Sequence, residues 1–172
     1  ALLRDTFQLV HISTGDLFRY NISNNTSLGA LAKSYMDKGD LVPDEVTIKM
    51  LEAEVDANPD VGGFIFDGFP RTAAQAEALD VFLQSKNMSI RATIALEVDE
   101  EVLVSRLLSR GKDSGRSDDQ DEDKIRNRFA EYNKKTAPLI DYYKTQNKFY
   151  SIGGEGTVAE ISEQLTSLLH SL

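Results

Sequence analysis

Gly63-Phe64-Ile65-Phe66-Asp67-Gly68-Phe69-Pro70-Arg71 is the stretch that decides the fold. Its first half is a nearly continuous apolar run, the pattern of a parallel strand covered on both faces. Asp67 closes the run, Gly68 permits close backbone approach, and Pro70 presets the start of a helix. The chain repeats this strand-then-helix order on either side. Leu9-Val10-His11-Ile12 reads as a buried strand before it, Ala92-Thr93-Ile94-Ala95-Leu96-Glu97-Val98 as a third, and Phe149-Tyr150-Ser151-Ile152 as a fourth. Apolar spacing predicts helices over 16–24, 28–38 and 43 to about 56, the last with Val46, Met50, Leu51 and Val55 on one face. Further helices are expected with Ala74, Ala78, Leu79 and Phe82 on an apolar side, over 99 to about 110, 122–133 and 137–146, and from Thr157 onward. The alternation predicts an α/β fold, an open parallel sheet with helices on both faces. Ligands of such sheets lie beyond the carboxyl ends of the strands.

Composition narrows the function. The chain has 172 residues, 41% hydrophobic and 27% charged, enough for one domain with a real core. Nineteen basic residues stand against 28 acidic ones, a net charge of −9. That balance argues against a nucleic-acid surface, which needs a basic face. An anionic ligand must then be held by locally concentrated cations. Without cysteine there are no disulfides and no thiolate metal sites. No apolar run approaches the ~20 residues of a membrane span, and no signal-peptide pattern opens the chain, so a cytoplasmic protein without a membrane partner is expected.

Three loops fall where a ligand is expected: Ser13-Thr14-Gly15-Asp16, Asp67-Gly68-Phe69-Pro70-Arg71 and Gly153-Gly154-Glu155-Gly156. Ser13 and Asp16 have the spacing of a helix-capping pair. Asp67 has the position of a carboxylate that holds Mg²⁺ directly or through water, and equally that of a capping or turn residue. Arg71 projects from a helix start whose amides favour an anion. Arg106 and Arg110 share one helix face; Arg116 falls in a polar, glycine-flanked loop over 111–120, and Arg128 on the helix after it. Either these arginines form a solvated face with Asp118 and Asp119 as partners, or the loop is a lid that closes cations onto a phosphate chain. Arginine suits phosphate because its planar fork binds it bidentately. His11, His170, Tyr132, Tyr142 and Tyr143 read as ordinary packing or surface residues.

Together with Gly39-Asp40-Leu41-Val42-Pro43-Asp44, Gln75 and Gly115-Arg116-Ser117-Asp118-Asp119, these motifs resemble, in order and spacing, the short-lid form of the adenylate kinase family. The resemblance covers essentially the whole chain. It implies reversible phosphoryl transfer from MgATP to AMP, giving two ADP, with Mg²⁺ as the cofactor and a monomeric protein. Residue by residue, it implies that Thr14, Arg19, Leu41, Val42, Gly68, Arg71 and Gln75 bind AMP, with Arg19 and Arg71 at its phosphate and Gln75 at the adenine edge. Arg71, Arg106, Arg110, Arg116 and Arg128 would neutralise charge in the transition state. Arg106, Arg110 and Gly154 would bind ATP, Asp118 and Asp119 would position lid arginines, and Asp67 would serve Mg²⁺ through water. It divides residues 1–172, one domain, into a monophosphate-binding part at 13–56, a short lid at 111–120 and a core. Thr14 and Gln75 favour AMP over UMP or CMP, the alternatives within the family.

One departure is large. The family opens with a strand and a G-x-x-x-x-G-K-[ST] loop that cradles ATP phosphates, and no stretch of this sequence matches it. Residues 1–7 read as the tail of the helix that follows that loop. The absent strand would be central in the family's P-loop sheet, between 63–67 and 92–98. The expectation is that it belongs to the parent enzyme and that the 172 residues alone do not turn over. A catalytically dead AMP-binding or interaction module is the alternative.

Overall fold

The computed structural model describes residues 2–36, 42–114 and 119–172. Ala1–Ser89 and Ile90–Leu172 form two compact units. In the first, α1 (Leu2–Phe7) leads into β1 (Val10–Ser13), followed by α2 (Thr14–Ser23), α3 (Ser27–Met36), α4 (Asp44–Asp56), β2 (Phe64–Asp67) and α5 (Ala73–Ser85). In the second, β3 (Thr93–Glu97) leads into α6 (Glu100–Ser114), then α7 (Glu122–Lys135), α8 (Pro138–Lys144), β4 (Phe149–Gly153) and α9 (Val158–Ser171).

The strands pair in parallel, as the alternation predicts, and do so as two two-stranded sheets, β1·β2 and β3·β4. Register in each pair sets what the loops can reach. Val10 lies opposite Phe64 and Ser13 opposite Asp67, so the loops after β1 and β2 emerge side by side. Glu97 likewise lies opposite Gly153, which sets the start of α6 beside the loop after β4. The four residues of β2 were expected to be covered on both faces. Phe64, Ile65 and Phe66 are only half-buried and Asp67 is exposed, because β2 has a ladder partner on one side alone among the described residues.

The packing of the first unit follows the predicted faces. Val46, Met50, Leu51 and Val55 are all buried along α4, where Val46 and Met50 join Ala32 in a cluster flanked by Leu17, Phe18, Leu28 and Val42. Burying side chains of this kind contributes about 1.5–3 kcal/mol each. Along α5 the buried stripe is Ala76, Leu79 and Leu83, while Ala74 faces solvent. Pro70 does not open α5: it follows a cis Phe69–Pro70 bond, and Thr72 is the N-cap, accepting from Gln75 N–H. Ser13 caps α2 by accepting from Asp16 N–H, as its spacing indicates, and Thr157 with Glu160 forms a full capping box on α9. Among the described residues no helix is long and apolar enough to cross a membrane.

In the second unit one expectation is corrected. The sequence places Gly111 at the start of a loop, yet α6 runs on to Ser114 and buries Gly111 inside it. A Cβ at this position would lie 2.5 Å from the backbone oxygen of Asp119. Glycine is needed there for close approach of two segments, and the helix passes through it.

Candidate functional site

The first unit gathers its polar groups around one carbonyl. Gly68 has φ +75°, a left-handed conformation that glycine adopts without strain, and a Cβ there would press on Thr14 Oγ1 at 3.1 Å. Its carbonyl accepts from Thr14 Oγ1 at 3.2 Å and from Arg71 Nε at 2.8 Å. Thr14 is buried and Arg71 exposed, so the guanidinium is tethered by one nitrogen at the surface. Gln75 completes the group: its Oε1 accepts from Arg71 N–H at 2.7 Å and its Nε2 donates to Asp44 Oδ1 at 2.6 Å. Arg19 is exposed and ion-paired with Asp16 one turn back. Val42 is half-buried against the α3–α4 cluster. Leu41 lies outside the described residues, as does Gly39 after the helix expected over 28–38.

Asp67 ends β2 with its side chain 64% exposed. His11, predicted to be buried and without a relevant partner, is exposed, and its Nε2 lies 3.2 Å from Asp67 Oδ2. The register explains the pair: residues 11 and 67 project from the same face of β1·β2, two positions apart on the diagonal. The apolar neighbours Leu9, Val10 and Ile12 hid this, although the His11 side chain itself is exposed.

The second unit holds arginines on acceptors of its own. Arg106 donates to the carbonyls of Gly154 and Glu155, both at 2.6 Å, and so ties α6 to the loop after β4. The Glu155 carboxylate returns the contact by accepting from Asp99 N–H at 2.9 Å, and Gly154 N–H donates to Glu97 O at 2.8 Å. Arg110 and Arg128 converge on Asp119, which is 0% exposed. Arg110 Nε reaches Oδ2 at 2.6 Å and Arg128 Nη1 reaches Oδ1 at 2.9 Å. Burial pushes the Asp119 carboxyl up, but the hydrogen bonds and charges of the two arginines outweigh it and hold the group below the usual carboxylate range. The structure thus brings together three of the four expected arginines of this half with their acceptors; Arg116 and Asp118 lie outside the described residues.

A further cation, Arg126, carries no signal of its own in the sequence. Arg126 meets Glu101 through both terminal nitrogens, at 2.8 and 2.9 Å, and also reaches Glu100 at 3.2 Å and Glu122 at 3.0 Å. The Glu122 contact has helical i,i+4 spacing and was readable; the contacts to α6 cross between helices and were not. Of the residues expected only to pack, Tyr143 is buried with Tyr142 edge-on to it, but Tyr132 is largely exposed. Among the described residues no three His, Asp or Glu side chains form a metal-holding cluster.

Comparison with known proteins identifies the family. The family model described as adenylate kinase matches residues 1–148. The adenylate kinase of Flavobacterium psychrophilum is 62% identical over 170 residues, covering 99% of this chain and 90% of that protein. That of Flavobacterium johnsoniae is 59% identical with the same coverages. The adenylate kinase of Bacteroides fragilis is 45% identical over 168 residues, 98% of this chain and 88% of the relative.

Proposed function

The chain belongs to the adenylate kinase family, and from that premise we propose that it transfers a phosphoryl group reversibly between ATP and AMP, giving two ADP. The observation that carries the reading is the grouping of Thr14, Gly68, Arg71 and Gln75 around one turn, which holds the Arg71 guanidinium and the Gln75 amide four residues apart, a pairing suited to a phosphate and a base. AMP is the acceptor, with Arg71 and Arg19 at its phosphate, Gln75 at its base, and residues 13–56 forming the part that receives it. Arg106, Arg110, Arg116 and Arg128 serve the transferred phosphates, and residues 111–120 act as a short lid positioned by Asp118 and Asp119. Gly154 contributes at the ATP side through the loop that Arg106 ties down.

No side chain has to act as a base, because phosphoryl transfer is driven by positioning and charge stabilisation. The arginines do both: the planar forks orient oxygens, and their charge offsets that of the phosphates. Mg²⁺ usually takes one or two carboxylates, with substrate phosphates and waters completing its shell. Asp67, a single exposed oxygen donor at the end of β2, fits that demand. When bound with ATP, the ion would neutralise phosphate charge.

The test is a coupled assay of ADP formation by the parent enzyme, phosphate-cradling loop included, with AMP, CMP and UMP as acceptors. AMP is expected to be preferred, and Gln75→Ala is expected to lower the AMP-to-CMP ratio of kcat/KM by about tenfold, the worth of roughly one lost hydrogen bond. A wild-type protein inactive on AMP, or a ratio that Gln75→Ala leaves alone, refutes the assignment.

A further inference from the structure

Gln75 is held at both ends of its amide, and the two partners do not have equivalent chemistry. The N–H of Arg71 can only donate, and the carboxylate of Asp44 accepts. These neighbours therefore admit one orientation. Turned over, the amide would set its oxygen against the Asp44 carboxylate and its NH₂ against a backbone N–H, replacing two hydrogen bonds by two repulsions. The backbone is fixed as well, since Gln75 N–H donates to Thr72 Oγ1 at the start of α5.

A side-chain amide carries two N–H bonds and two oxygen lone pairs. With one of each spent on Asp44 and Arg71, one donor and one acceptor are left, in a fixed order. That order complements a base edge with an exocyclic amino group beside a ring nitrogen lone pair. It opposes an edge with a carbonyl beside a ring N–H. A mismatched edge leaves buried polar groups unpaired, so discrimination of this kind is steep.

We propose that Asp44 is a specificity-determining positioning residue: by fixing the hand of the Gln75 amide, it selects 6-amino purine monophosphates and rejects 6-keto ones. The proposal rests on the reading that Gln75 faces the base of the acceptor nucleotide. Asp44 is the adjustable half of the constraint, because the other half is a backbone group. It is exposed at the first position of α4, so its replacement removes no core contact. An Asp that only favoured its helix N-terminus would affect all acceptors alike.

The experiment measures kcat/KM for AMP and for IMP in the parent enzyme, phosphate-cradling loop included, at saturating MgATP, for wild type, Asp44→Asn and Asp44→Ala. The two acceptors have the same ring size and differ at the 6-position and N1. In both variants the IMP-to-AMP ratio is expected to rise about tenfold or more, with the loss for AMP falling on KM. Either variant suffices should the other fail to fold, which a Tm measurement reports. A wild type that uses AMP together with an unchanged ratio in the folded variants overturns the role of Asp44. A wild type that does not use AMP overturns the underlying functional reading instead.

Discussion

The two units treat their charged groups in opposite ways. Around Gly68, the guanidinium of Arg71 is exposed and tethered by one nitrogen to a neutral carbonyl, and the fixed group is an uncharged amide. Around Asp119, two guanidiniums are held by one fully buried carboxylate, and Arg106 spends both terminal nitrogens on backbone oxygens. The first arrangement leaves charge available and fixes hydrogen-bond order, which suits recognition of one particular molecule. The second stores charge at set positions, which suits a polyanion whose own oxygens can replace or join the internal acceptors. On the proposed function, recognition and charge stabilisation would fall to different units, one through neutral geometry and the other through clamped cations.

If that division holds, equal lesions should have unequal kinetics. Arg71→Met and Arg110→Met are each expected to reduce kcat/KM by about 10³, the lower range for an arginine that stabilises phosphoryl transfer. The Arg71 variant should show a large rise in KM for AMP, and the Arg110 variant a loss concentrated in kcat. Steady-state kinetics with each nucleotide varied in turn checks this. Identical patterns in the two variants would break the comparison.

The same contrast explains what was legible. Strands, helices, the Ser13 and Thr157 caps and the buried face of α4 follow from spacing within one element, and the structure carries them as read. The loop residues Thr14, Gly68, Arg71 and Gln75 lie close in sequence or across one register, so their grouping was also accessible. What escaped depends on partners far along the chain. Asp44 is 31 positions from Gln75, and Arg106 is 48 from Gly154. Nothing local marks Asp44 as more than an acidic helix start. Gly111 misled because glycine signals either a break or a close approach, and only the neighbour, Asp119, distinguishes them. His11 misled because its partner Asp67 lies 56 positions on, at the end of the neighbouring strand.

A sharper test is the acid stability of the Asp119 clamp. A carboxyl whose folded pKa is depressed contributes stability above its unfolded value and loses it as pH falls through the folded one. The contribution of Asp119 is therefore fully present at neutral pH and fades below about pH 4. Asp119→Asn keeps the shape and removes the charge, and should cost about 1–3 kcal/mol at pH 7 by weakening charge-assisted hydrogen bonds. Urea unfolding of both proteins between pH 7 and 3 is the measurement. The gap should narrow as the pH drops; a gap independent of pH would mean that the two arginines do not hold the carboxylate in its charged form.

The smallest effect separates clamped cations from merely paired ones. Among the described residues Arg126 has more carboxylate partners than Arg110 or Arg128, and its hydrogen bonds to Glu101 and then Glu122 raise its pKa. All of its partners are exposed, however, whereas Asp119 is not. Exposed pairs contribute little, and salt screens them over a Debye length that shrinks to ~3 Å at 1 M. Glu101 is itself held below its ordinary pKa by Arg126, so its share of the network is likewise present at neutral pH and lost in acid. Arg126→Gln should lower Tm less than Asp119→Asn at low salt, and the difference from wild type should vanish at high salt or below about pH 4. Asp119→Asn should keep most of its deficit in the same high salt, because burial shields that clamp from ions. A Tm loss for Arg126→Gln that survives 1 M salt would place it with the buried clamp, and the number of carboxylates around an arginine, rather than their burial, would then decide its worth.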